Sequence, residues 1–130
     1  MSEPDLERMS PFGRFQYHCE RNELAFQRCR SGKALFYPRL VDPEGAGEAP
    51  GWEISQGLGR VYSVTLVNAR DEAPFALALV DLDEGFRLLS RIDTDEPGAV
   101  PIGARVRVAF RSLTEGQPVL PVFVIAGETP

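Results

Sequence analysis

The sequence predicts a mainly β protein: one N-terminal helix and a short hairpin, followed by a small closed barrel of five strands. Three observations carry this. Glycine (12) and proline (11) are frequent for 130 residues, and such turn-formers suit many short strands better than a helical bundle. Residues alternate with a period of two in Arg60–Val67 and Arg105–Phe110, within a run of strand-like segments at short spacing. A helical spacing of apolar residues is confined to the first twenty positions.

The helix signal begins at Ser10, a favoured N-cap, with Pro11 at the first helical position and Phe12, Phe15 and Cys19 recurring on one stripe to about Arg21-Asn22. Leu24–Arg39 reads as two short strands, LAFQRC and ALFYPR, joined by the turn Arg30-Ser31-Gly32-Lys33. Residues 41–51, VDPEGAGEAPG, have no periodicity and read as a loop or linker. The resulting division is a flexible N-terminus over 1–11, a helix-plus-hairpin module over 12–50 and a barrel over 51–126.

The barrel stretch starts with Trp52–Ser55. Gly57-Leu58-Gly59 then suggests a bulge or sharp bend. Arg60–Val67 alternates, placing Tyr62, Val64 and Leu66 on one face. Phe75–Leu82 and Phe86–Ile92 flank the tight turn Asp83-Glu84-Gly85. Arg105–Phe110 shows one charged face to water, and Leu120–Ile125 closes the series, with Pro121 fitting an edge or a strand start. Five strands linked in this way suit an OB-fold barrel.

Composition narrows the function classes. Fourteen basic against 19 acidic residues give a net charge of −5, which disfavours general nucleic-acid binding. No stretch approaches the roughly 20 apolar residues of a membrane span, and the N-terminus lacks the apolar core of a signal peptide, so a cytoplasmic location is expected. Two cysteines and one histidine cannot complete a four-ligand Cys/His zinc site.

Catalytic patterns are missing: there is no G-x-S-x-G and no phosphate-binding glycine loop. His18 stands without a patterned base or acid and reads as a lone surface or half-buried histidine. Asp81, Asp83 and Glu84 read as turn and surface residues rather than a cation site. Arg87 and Arg91 share one strand face, and Arg105 and Arg107 another. Either stripe suits an anionic ligand or plain solvation. Tyr62, Phe75 and Phe86 lie in apolar surroundings and are expected in the core, which leaves no stacking platform for nucleic acid.

The stretch LAFQRCRSGKALFYPRLVDPEG resembles the rubredoxin-like zinc ribbon of the acyl-CoA-associated OB-fold family, a domain of unknown function. Trp52, Gly57-Leu58-Gly59, Val61–Thr65, Ala73-Pro74-Phe75, Ala78–Gly85, Ile102-Gly103 and Leu120–Phe123 resemble the barrel of the same family, so the likeness runs from about Phe12 to Phe123. It implies a small non-catalytic companion of an acyl-CoA enzyme, with a thiolase or a related acyl-transferring or hydratase protein as partner. The ribbon helps to dock that partner, and the barrel accommodates acyl-CoA. Two alternatives remain: a stand-alone acyl-CoA or CoA-ester binding module, and an enzyme in its own right.

The family's metal pattern is broken here. Only Cys29 survives upstream, Ser31-Gly32 replaces the second cysteine and its glycine, and Asp42 and Gly45 occupy the later ligand positions. The ribbon is therefore degenerate, and neither metal nor other cofactor is expected. The candidate docking residues are Phe12, Phe15, Phe36 and Tyr37. The candidate partners for CoA phosphates are Arg39, Arg60, Arg87 and Arg91.

Overall fold

A computed structural model describes residues 5–37, 39, 49–68, 70–112 and 115–126. Most of the expected linker, with Asp42 and Gly45, lies outside the described residues.

After a 3-10 turn at Leu6–Arg8, the helix α1 spans Pro11–Cys19. Ser10 Oγ accepts a hydrogen bond from the Gly13 amide at 3.0 Å, satisfying one of the otherwise orphaned first-turn donors. The helix stops because Asn22 turns left-handed (φ 60°). This lets Glu23 N and Asn22 N return to the carbonyls of His18 and Cys19 at 2.9 and 3.0 Å.

Three strands follow: β1 (Leu24–Arg28), β2 (Ala34–Leu35) and β3 (Gly51–Ser55), in the order β2-β1-β3. β1 is central, and Leu24 to Gln27 are all buried. Trp52–Ser55, expected to open the barrel, instead pairs with β1 from Leu24↔Ser55 to Arg28↔Gly51. β2 offers only two residues to one edge of β1, and β3 covers the other edge, which would otherwise leave buried backbone groups unpaired.

The barrel is closed in the order β4-β5-β6-β8-β7, from β4 (Leu58–Val67), β5 (Phe75–Leu82), β6 (Arg87–Ile92), β7 (Arg105–Arg111) and β8 (Leu120–Ile125). It is the mainly β, OB-type architecture expected. All pairings are antiparallel except β6 with β8, a parallel contact at Ile92↔Phe123. Ala76, Ala78, Val80 and Leu82 of β5 and Leu88, Ser90 and Ile92 of β6 point inward, the period-two pattern of a barrel wall.

The bulge sits elsewhere than expected. Register slips between Val61 and Ser63, so Val61 pairs with Val80 and Val64 with Ala78. The extra residue, Tyr62, is thrown outward and is 52% exposed, which corrects both its core assignment and the shared face proposed for Tyr62 and Val64. Gly57 has a different task. Its φ is +76°, and a Cβ there would lie 2.3 Å from Val108 Cγ1.

The three-stranded sheet and the barrel share one core. Phe26 stacks on Phe86 with ring centroids 4.7 Å apart, and Phe36 stacks on the same ring at 5.7 Å. The connection between them is pinned: Glu84 accepts Ser55 Oγ–H at 2.7 Å and Gln56 N–H at 2.8 Å, while Ser55 Oγ accepts Gly57 N–H at 2.8 Å.

Candidate functional site

The four aromatic docking candidates divide into two pairs. Phe15 is buried and meets half-buried Phe36 edge-to-face at 5.3 Å, so both belong to the protein's own packing. Phe12 and Tyr37 are 64% and 62% exposed. They are joined to the buried pair, because Tyr37 packs on Phe36 at 5.3 Å and Phe12 lies one turn before Phe15. Beside them runs an apolar groove of about 270 Å³, lined by Phe15, Phe36, Leu88, Leu89, Leu120 and Pro121. Leu89 and Leu120, which sequence reasoning did not single out, are exposed on its wall. The signal for Leu89 was an apolar residue between Arg87 and Arg91 on their outward face.

The arginines do not form one site. Arg60 on β4 stands opposite Asp81 on β5, and Asp81 stands opposite Arg87 on β6, so the three share one row on the barrel's outer face. Arg91 lies further along the same face of β6. Arg39 belongs to the other module, where its backbone N–H and C=O are both held by the Gln27 side chain, at 2.6 and 2.8 Å.

Within the row, Arg87 is engaged by Asp81 at 2.5 and 3.1 Å and lies 3.6 Å over the Tyr62 ring. Arg91 lies 3.6 Å over the half-buried Phe75 ring, with Glu72 at 3.7 Å. Phe75 is therefore a surface shelf rather than a core residue, whereas Phe86 is buried as expected. Arg60 donates to the Gly103 carbonyl at 3.2 Å.

The acidic turn residues are each accounted for by a partner. Arg105 grips Asp83 through two bonds of 2.6 Å, which lowers the Asp83 pKa and raises that of Arg105. Hydrogen bonding to Asp81 likewise raises the pKa of Arg87. Glu84 is the pin between the modules, a role that residue type alone does not announce.

His18 is buried and pairs through Nδ1 with Glu23 at 2.9 Å. Cys19 and Cys29 are both buried and are not joined in a disulfide, and burial pushes the Cys19 thiol up to about 11. Among the described residues, no group of three or more His, Cys, Asp or Glu side chains is placed to hold a metal ion. No helix among them is long and apolar enough to cross a membrane.

Comparison with known proteins adds the following. Residues 52–111 match the family described as ChsH2, C-terminal OB-fold domain. The chain is 31% identical over 103 residues to a DUF35 domain-containing scaffold protein of Methanothermobacter thermautotrophicus, covering 74% of this chain and 77% of that one. It is 30% identical over 93 residues to the 3-oxo-4,17-pregnadiene-20-carboxyl-CoA hydratase alpha subunit of Mycobacterium tuberculosis, covering 68% of this chain and 30% of that larger protein. In structure it is similar to a chain of the Ltp2-ChsH2(DUF35) aldolase, with a TM-score of 0.77, 26% identity and coverage of 95% and 99%.

Proposed function

Since this chain belongs to the DUF35 family of OB-fold proteins, we propose that it is a non-catalytic accessory subunit that docks onto a thiolase-like acyl-CoA enzyme and helps to present acyl-CoA to it. The observation that carries this reading is the set of large exposed apolar side chains Phe12, Tyr37, Leu89 and Leu120, the last two on the groove's wall and Tyr37 packed on its Phe36. Large exposed apolar side chains beside a groove are costly in water and are what a partner's surface covers. A stand-alone binding module would leave them wet.

The relatives support the same direction: one is named a scaffold protein, another a hydratase subunit, and the structural neighbour is part of an aldolase with Ltp2. The phosphates of a CoA ester would meet Arg60, Arg87 and Arg91 on the barrel's outer face, while Arg39, on the other module, would need a second contact. In this reading the chemistry belongs to the partner, and the described residues of that face supply charge rather than a nucleophile with its base.

The test is co-purification with a candidate thiolase. Phe12→Ser with Tyr37→Ser removes two exposed rings and should abolish the complex while the melting temperature holds. Retention of the complex by this double variant would sink the docking assignment. Phe36→Ser is the wrong probe, because Phe36 is packed on Phe86 and its loss would unfold rather than undock.

A further inference from the structure

Among the described residues, two buried side-chain nitrogens lack a hydrogen-bond partner, Arg14 Nε and His18 Nε2. They project from one stripe of α1, positions 14 and 18, to the same neighbour, Trp52 of β3. The Arg14 guanidinium carbon is 5.1 Å from the centroid of the Trp52 ring, and the His18 ring is 6.4 Å away. His18 already holds Glu23 through its other nitrogen. Arg14 has no such partner, and an orphaned buried donor of this kind calls for an explanation.

Arg14 lines a cavity of about 470 Å³ together with Arg39, Gln27, Trp52, Met9 and Pro11. Gln27 is fully committed to the Arg39 backbone and fixes that residue at the cavity's rim. Among the described residues neither Arg14 nor Arg39 meets a carboxylate. Two guanidiniums on one cavity with no carboxylate against either among the described residues are conspicuous.

We propose that this cavity binds a small amphipathic oxyanion, its phosphate or carboxylate head between Arg14 and Arg39 and its apolar body against Trp52, Met9 and Pro11. Guanidinium forks match the oxygens of either head group, and the bond is charge-assisted. Apart from Gln27, the remaining wall is mainly apolar, so a head group alone would waste it. A volume of this order is that of ordinary small-molecule sites. The cavity shares no lining residue with the apolar groove, and Arg60, Arg87 and Arg91 are not among its lining residues.

Trp52 is the chain's only tryptophan, so its emission reports on the cavity directly. The full chain is titrated with hexyl phosphate, hexanoate, inorganic phosphate and hexanol. A saturable change with hexyl phosphate or hexanoate is expected, and the stronger of the two identifies the head group. Inorganic phosphate should bind more weakly and hexanol not at all. Arg39→Gln should weaken binding about tenfold, the scale of one charge-assisted bond. Its side chain is exposed, so the fold survives the change. No saturation at millimolar probe overturns the proposal, as does an Arg39→Gln variant that binds normally. Hexanol or inorganic phosphate binding as well as the amphiphiles would also overturn it. Phe12→Ser and Tyr37→Ser should leave this titration unchanged, so its failure is distinguishable from failure of the docking reading.

Discussion

Gly57 is where backbone conformation and packing coincide, and Gly57→Ala separates their contributions. An alanine there must adopt a left-handed φ near +76°, which costs about 1–2 kcal/mol for a residue with a Cβ. Its methyl would also stand 2.3 Å from Val108 Cγ1, inside any real contact, so Val108 or β7 must move. Overpacking of this kind adds about 1–3 kcal/mol. The sum is about 2–5 kcal/mol, or a fall in melting temperature of roughly 8–20 °C for a domain of this size.

Gly85→Ala is the control. Its φ is +100°, but nothing lies within 4 Å of its missing Cβ, so only the backbone cost applies. Thermal melts followed by circular dichroism should therefore rank wild type above Gly85→Ala and Gly85→Ala above Gly57→Ala. Adding Val108→Ala should recover part of the loss in the Gly57→Ala background, a favourable coupling between the two sites. If Gly57→Ala melts with or above Gly85→Ala, the tight approach of β7 to residue 57 is wrong. Strictly additive behaviour of the double variant would say the same.

Two further predictions concern charge and metal. Asp83 has its pKa lowered by the Arg105 hydrogen bonds, so its stabilising contribution is complete above the unfolded carboxyl value of about 4 and disappears as pH falls through the lower folded value. Melts between neutral and acid pH should show Asp83→Asn closing on wild type only at the acid end, and an equal gap at every pH would refute the pairing. Elemental analysis of protein purified without chelator should find no stoichiometric zinc, and EDTA should leave the melting curve in place. Cys19 and Cys29 are the only thiols, both are buried, and with its pKa pushed up to about 11 Cys19 is reluctant to become the thiolate that zinc needs. One zinc per chain, or a drop in melting temperature on adding EDTA, would overturn this.

What could be read from the sequence was what short-range physics controls. Ser10-Pro11 set the start of α1, and the Asp83-Glu84-Gly85 turn between two apolar runs set the β5–β6 hairpin. The limits of β4 and β7 were close for the same reason. Non-local pairing was harder to see. Nothing in Gly51–Ser55 says whether its partner is β1 or a barrel strand, since either edge accepts the same five residues. The bulge at Tyr62 was invisible because Val61–Val67 is apolar enough to alternate acceptably in two registers, and a one-residue slip exchanges faces. For the candidate sites, the sequence gathered four aromatics and four arginines by type. Only the fold could divide Phe12 and Tyr37 from Phe15 and Phe36, or Arg39 from the barrel row. Arg14 and Trp52, 38 positions apart, offered no pattern to join them.

The Glu84 pin at Ser55 and Gln56 bears on how binding would be experienced by a partner. A flexible joint at residues 55–57 would let the barrel swing freely after the aromatic edge had been gripped, and stilling that motion would subtract from affinity. With the carboxylate holding the joint and Phe26, Phe36 and Phe86 stacked across it, that loss of freedom occurs when the chain folds. A surface that seizes Phe12 and Tyr37 therefore sets the heading of every barrel strand at once, as a hand on the hilt aims the blade.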